Sequence, residues 1–347
     1  MIDLNDKIAI AAIDKSDAYG SIGFFAKQCR QAWDETQQIT FPQDYADVDN
    51  IVLCGMGGSA YAALIIKALY SSQLKVPFEL ANGYDILAYV GPRTLVLLSS
   101  YSGSTEEATT CAEKALAKKA KIAGVCNGSK LGDFLKGNNL PAYIFEAKYN
   151  PSKQPRLGQG YMIFGHIGIL AKLGFLPTLG STLSAAFDFL EKDTQAELSA
   201  QEIAPKLMNK IPVIVASEHL LGNAHVMRNQ FNETAKSFSA YSLIPELNHH
   251  LMEGLTNPKE RILSFLFLDS TLYTPVIQKR FALTKEVIGK NNIDILEAPI
   301  QGQNAIEQML YGISLGGYLT FYLGILYGQD PSVIPWVDFF KEKLAKT

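Results

Sequence analysis

Apolar positions along this chain fall into short blocks set between stretches of helical period. The first 48 residues show mixed helical spacing, with Ile8, Ile10 and Ile13 and then Phe24, Phe25, Cys29, Ala32 and Trp33 as the apolar positions. Gly20-Ser21 is expected to divide them into two helical pieces covering a sheet. Apolar-rich runs then occupy residues 50–54, 76–80, 94–99, 121–126 and 142–145. Helical stretches reaching Tyr70 and about Lys119 stand between them. Short runs of this kind predict buried strands. Their alternation with helices predicts βαβ units, hence a parallel sheet with helices on both faces.

The polar stretch Tyr149 to Pro155 carries two prolines and marks a boundary. Beyond it come a long glycine-rich apolar helix over 156–176 and another helical stretch over 183–208. A strand at 212–216, its loop Ser217-Glu218-His219-Leu220 and a helix over 223–236 open a second βα series. Strands at 261–268 and 293–296, a helix over 305–327 and a short basic C-terminal helix complete the pattern. The expected class is α/β, with two subdomains that are each a mainly parallel sheet flanked by helices. Their limits are 1–48 for a helical segment packed on the sheet, 49–152 for the first subdomain and 153–347 for the second. The two halves share a rhythm without a residue-level repeat.

Composition narrows the function classes. At 347 residues, 48% hydrophobic and 19% charged, the chain has ample core material. A formal net charge of −3 argues against a general nucleic-acid or membrane surface. Cys29, Cys54, Cys111 and Cys126 show no CxxC spacing, which fits reduced thiols in a cytoplasmic protein rather than a zinc ribbon or redox pair. The N-terminus, with Asp3, Asp6, Lys7 and Asp14, lacks the form of a signal peptide. No run of 18 uncharged apolar residues is picked out as a membrane span.

The chemistry concentrates in two loops. Leu95 to Glu107 reads as a buried strand, a hydroxyl-rich turn and a helix N-terminus. Ser100, Ser102, Ser104 and Thr105 stand around Gly103. Unpaired N–H groups and the positive dipole end of a helix hold anions, and hydroxyls add donors without charge. A phosphate monoester is the natural guest; the plainer account is an ordinary Ser/Thr cap with Glu in the first turn. Gly55-Met56-Gly57-Gly58-Ser59-Ala60, after the first strand, fits a dinucleotide fingerprint, and Glu79 lies where a ribose-binding acid would sit. Against that, Ser59 places a hydroxyl where bare backbone is usual. Two loops converging on one anion suit a phosphosugar better.

Cys-Gly-Met-Gly-Gly-Ser-Ala from Cys54, followed by Ser-Tyr-Ser-Gly-Ser-Thr-Glu-Glu from Ser100, resembles the sugar-isomerase (SIS) domain. Further motifs resemble the bifunctional phosphoglucose/phosphomannose isomerases in particular. They are Gln154-Pro155-Arg156, Asn232-Glu233-Thr234-Ala235-Lys236, Glu246-Leu247-Asn248-His249 with Glu253-Gly254, and Asp330-Pro331 followed by Phe340-Lys341. The resemblance runs from about residue 50 to the end. It implies two SIS subdomains, a homodimer and metal-free, cofactor-free interconversion of glucose 6-phosphate, mannose 6-phosphate and fructose 6-phosphate.

It also implies roles. Gly57, Gly58, Ser59, Ser100, Ser102 and Thr105 would bind the substrate phosphate. Glu233 would move the proton between C2 and C1; taken alone it is a helix-surface carboxylate beside Phe231 and Ala235. Arg156 would stabilise the enediolate, or merely pair at a boundary. His249 and Lys341 would assist ring opening. His250 stands where the family usually has asparagine, so which histidine faces the sugar stays open, with register favouring His249. Lys343 and Lys346 compete with Lys341 for its assignment.

Two rivals are weighed. The isomerase half of glucosamine-6-phosphate synthase would need a glutaminase domain with an N-terminal cysteine, whereas residue 2 is Ile2. A non-catalytic phosphosugar sensor would need a partner or DNA-binding module, and the acidic N-terminal segment lacks a basic recognition helix.

Overall fold

A computed structural model describes residues 2–177, 179–344 and 346. Three short helices open the chain: α1 (Lys7–Ile13), α2 (Ala18–Gly23) and α3 (Phe25–Thr36). The first sheet alternates β1 (Asn50–Gly55), α4 (Tyr61–Tyr70), β2 (Phe78–Ala81), β3 (Thr94–Ser100), α5 (Glu106–Ala117), β4 (Lys121–Cys126), α6 (Ser129–Gly137) and β5 (Ala142–Ile144). Helices α7 (Gln159–Lys172), α8 (Gly180–Lys192) and α9 (Gln195–Ile203) follow. The second series holds β6 (Ile211–Ala216), α10 (Leu221–Glu233), β7 (Ala240–Leu243), α11 (Leu251–Gly254), β8 (Leu263–Asp269), α12 (Pro275–Lys290) and β9 (Asp294–Pro299). Two helices end the chain, α13 (Ala305–Leu326) and α14 (Pro335–Leu344).

The sheets have orders β2-β1-β3-β4-β5 and β7-β6-β8-β9, and every pairing is parallel. Strand periodicity sends Ile51, Leu53, Leu95 and Leu97 into the core shared with α4 and α7. Val52, Cys54, Val96 and Leu98 pack on the other face with Cys111, Ala112 and Ala115 of α5. Both faces are therefore dry, as parallel sheets require. In each sheet the chain leaves the two central strands in opposite directions. A crevice forms at such a switch point, outside the C-terminal strand ends.

Several details differ from the sequence reading. The opening helices divide at Asp14–Asp17 and at Phe24, whereas Gly20 and Ser21 lie inside α2. Asp14 and Asp17 accept hydrogen bonds from the backbone of residues 18–20 and so start that helix. The segment packs chiefly on helices, with α3 along α7 and α2 on α13, while Tyr45 Oη donates to Ile122 O of β4 and Glu35 accepts from Tyr143 Oη of β5. Gly168 permits the first contact, since a Cβ there would sit 1.9 Å from Thr36 Oγ1. The stretch 183–208 breaks at Asp193, whose carboxylate caps α9 through the N–H groups of Gln195 and Ala196. Beyond the boundary expected at 152/153, buried residues of α7 and α8 still belong to the core of the first sheet. Residues 308–326 carry no charge, and α13 is long and apolar enough to cross a membrane; here 89% of that window is buried inside the protein.

Candidate functional site

The first crevice is built where β1 and β3 end. Gly57 takes φ +50, a left-handed conformation that lets the chain turn at once into the short helix Gly57–Ala60 ahead of α4. The two loops are bonded to each other. Ser99 Oγ donates to Ser59 O at 2.6 Å, and Tyr101 N donates to Ser59 Oγ at 2.9 Å. Ser100 Oγ lies 2.8 Å from Thr105 Oγ1 and accepts from Gly103 N at 3.1 Å. Ser102 is exposed, and its Oγ accepts from Ser104 N and Ser104 Oγ. Among the described residues, Ser59 and Ser102 thus accept without donating, and the Ser100–Thr105 pair keeps one proton over. Thr105 precedes α5 without a side-chain cap, leaving that helix end to a ligand. Gly57, Gly58, Ser59, Ser100, Ser102 and Thr105 are brought together as the sequence suggested.

A second cluster abuts the first. The turn Pro155–Leu157 packs on the Gly57–Ala60 turn; a Cβ on Gly58 would lie 3.7 Å from Arg156 Cα. Arg156 is buried. Its Nη1 donates to Gln154 Oε1 at 3.1 Å, and its Nη2 donates to Pro331 O at 2.5 Å and Ser332 O at 2.8 Å. Among the described residues its buried Nε has no partner. Glu233 ends α10, half-buried, on a cavity of about 610 Å³ lined also by Lys236, Tyr327, Val333 and Trp336. Burial pushes its carboxyl above the ordinary glutamate value, while Arg156, Lys341 and Lys236 pull the other way. Lys341 sits on α14, none of whose residues is buried. Burial is also the first cause lowering Lys236, to about 8, with Arg156 adding to it.

Tyr61 joins the two clusters. It follows the Gly57–Ala60 turn, is fully buried, and feels the charges of both Glu233 and Arg156. The histidines do not join. His249 is exposed on the turn after β7 and, among the described residues, neither hydrogen-bonds nor lines the Glu233 cavity. His250 is exposed and faces Glu246 at 3.8 Å. Of the four residues the resemblance made catalytic, Arg156 and Lys341 act electrostatically on Glu233, and His249 has no such interaction with it among the described residues. Tyr61 had no signal in the sequence. Lys236 stood in a quoted motif without a role.

Family comparison agrees with this geometry. The SIS domain family matches residues 44–132, and the bacterial phospho-glucose isomerase C-terminal SIS domain family matches residues 196–344. The chain belongs to the SIS-domain family. A bifunctional phosphoglucose/phosphomannose isomerase of Caldicellulosiruptor bescii is 29% identical to this SIS protein over 94% of the chain and 99% of the relative. The enzyme of the same name from Thermoplasma volcanium is 28% identical over 89% of the chain and 96% of its own length. Among solved structures, a hypothetical protein from Thermus thermophilus superposes with a TM-score of 0.73 at 16% identity. That match covers 98% of this chain and 94% of the other, and it shows the double SIS fold.

Proposed function

We propose that this chain is an aldose–ketose isomerase interconverting glucose 6-phosphate and mannose 6-phosphate with fructose 6-phosphate. The observation that carries this reading is Glu233. It is a carboxyl raised by burial, beside Arg156 and Lys341, and Tyr61 couples it to a hydroxyl-lined anion loop. A binding protein needs the loop but not the base. The named relatives carry the same activity over nearly the whole chain.

In this reading the loops after β1 and β3 hold the phosphate, and the sugar carbons extend toward Glu233. Its carboxylate takes the C2 proton and returns it at C1, through a planar enediol that has lost the memory of its epimer. Arg156 and Lys341 supply the positive charge facing the developing oxyanion. His249 stands off this cavity, so ring opening falls to Lys341, the other group the resemblance gave that role.

The test is a coupled assay on fructose 6-phosphate with both aldose phosphates followed. Glu233→Gln keeps shape and removes the basic oxygen. Turnover to both aldoses should fall by at least ~100-fold with ligand binding retained. A variant that keeps one of the two activities refutes the common enediol.

A further inference from the structure

Lys236 stands in an unusual place. It lies three residues beyond α10 at φ +54, a conformation that favours glycine and costs other residues about 1–2 kcal/mol. Lys119 and Lys153 also take positive φ, so what sets Lys236 apart is where its side chain goes. Its Nζ lies within hydrogen-bond distance of four carbonyl oxygens, which share its three protons: Glu233 at 3.0 Å, Thr234 at 3.2 Å, Asp330 at 2.7 Å and Pro331 at 3.1 Å. The first two end α10, the helix that carries Glu233. The other two lie in the strap between α13 and α14, 94 and 95 residues on.

Arg156 reaches the same strap from the opposite side, through Pro331 O and Ser332 O. Pro331 O thus accepts from both cations. The strap itself is turned by Ser332 N donating to Asp330 Oδ1 at 2.8 Å. Beyond it α14 buries no residue, although Lys341 on that helix acts on Glu233. The position of Lys341 therefore depends on where the strap is held. An ammonium is a compact point charge with three protons and suits a knot of carbonyls, which offer no planar face for a guanidinium fork.

We propose that Lys236 is a positioning residue: it clamps the Asp330–Ser332 strap against the end of α10 and so fixes Lys341 opposite Glu233. The proposal rests on the isomerase reading for its kinetic arm only. It sets the geometry between the base and the cation that faces it without touching the sugar. Arg156 closes the other side of the clamp through Pro331 O and Ser332 O, while the bonds to the Glu233 and Thr234 carbonyls come from Lys236.

The experiment is a double-mutant cycle with a second, non-kinetic readout. Lys236→Met should lower kcat on fructose 6-phosphate about tenfold with KM changed less than about threefold. In a Lys341→Met background the same change should lower kcat less than about twofold, because the group being positioned is already gone. Deuterium exchange of the segment 328–344 should quicken in Lys236→Met, while 94–117 keeps its wild-type rate. Lys236→Arg, which retains charge but misplaces the donors, should fall between the two and serves if the methionine variant does not fold. Losses that simply multiply in the double mutant overturn the proposal, as does unchanged exchange in 328–344 in both variants. If the wild-type chain does not isomerise fructose 6-phosphate, the functional reading fails while the exchange result still decides the clamp.

Discussion

The two halves of this molecule build the same crevice and use it differently. β1 and β6 are both six residues long with the same burial pattern, and β3 and β8 are both seven. The second residue after the strand is left-handed in each: Gly57 at φ +50 and Glu218 at φ +46. Thr105 precedes α5, and Thr274 precedes α12. In the second half the Glu218 carboxylate crosses the crevice and accepts from Thr274 N at 3.2 Å and from Thr274 Oγ1 at 2.6 Å. An anion already sits on that helix end, supplied by the chain itself. In the first half Gly57 supplies nothing, and a Cβ there would meet no atom within 4 Å. An open helix end with spare hydroxyl protons can take a phosphate, whereas one that carries a carboxylate repels it. The Glu218 side chain is the charge that the second crevice has and the first lacks.

The sharpest way to break the comparison is to transplant that side chain. Gly57→Glu puts a carboxylate into the first crevice at a loop position whose counterpart already tolerates glutamate. Two or more charge-assisted phosphate bonds should be lost, at about 1.5–3 kcal/mol each, so KM for fructose 6-phosphate should rise more than about 100-fold. Isothermal titration with inorganic phosphate should lose its heat, and thermal unfolding should stay two-state. Unchanged KM would show that the two crevices are not equivalent.

The reverse change is milder. Glu218→Ala removes the internal anion from α12, and urea unfolding should report a loss of about 1 kcal/mol, the usual worth of an N-terminal cap. Steady-state KM for fructose 6-phosphate should not move, because Glu218 has no part in the first crevice. A KM shift comparable to that of Gly57→Glu would mean that the sugar spans both halves.

The smallest expected effect concerns Glu233, the carboxyl at the end of α10. Burial raises Glu233 more than Arg156, Lys341 and Lys236 lower it, so its proton is lost at higher pH than in a free glutamate. The acid limb of kcat/KM should therefore lie above the ordinary glutamate range. Lys341→Met removes one of the lowering cations and should move that limb further up in pH. In the same window, between its unfolded and folded values, Glu233 holds more proton when folded, so rising pH through that window costs stability. An acid limb that does not move in Lys341→Met would place Lys341 away from the base.

Elements with strong local signals were legible in the sequence. The strand at 121–126 was located to the residue, and those at 50–54 and 94–99 each extend by one residue into the turn. What escaped was weakly patterned. β7 has four residues, all half-buried at the sheet edge, and no apolar run to announce it. α12 turns few buried residues inward over sixteen positions, so its period is faint. The sequence reading puts the first break at Gly20-Ser21 and none within 183–208, although Asp14, Asp17 and Asp193 all cap helices. Glycine in this fold more often serves close approach, as at Gly168 against α3, than termination.

Read alone, the sequence determined the two βα series and the hydroxyl-rich helix start of the first crevice. Those properties are encoded by neighbouring residues: an apolar run, a left-handed glycine, a hydroxyl cluster and a helix start lie within one loop. Tertiary structure decided the rest. It set Arg156 beside Glu233, drew Pro331 between two cations, held His249 apart and let Glu218 fill the second crevice. Each of these is an encounter between residues tens to well over a hundred positions apart. Such encounters are settled by which faces the helices bury, and no local pattern records that choice.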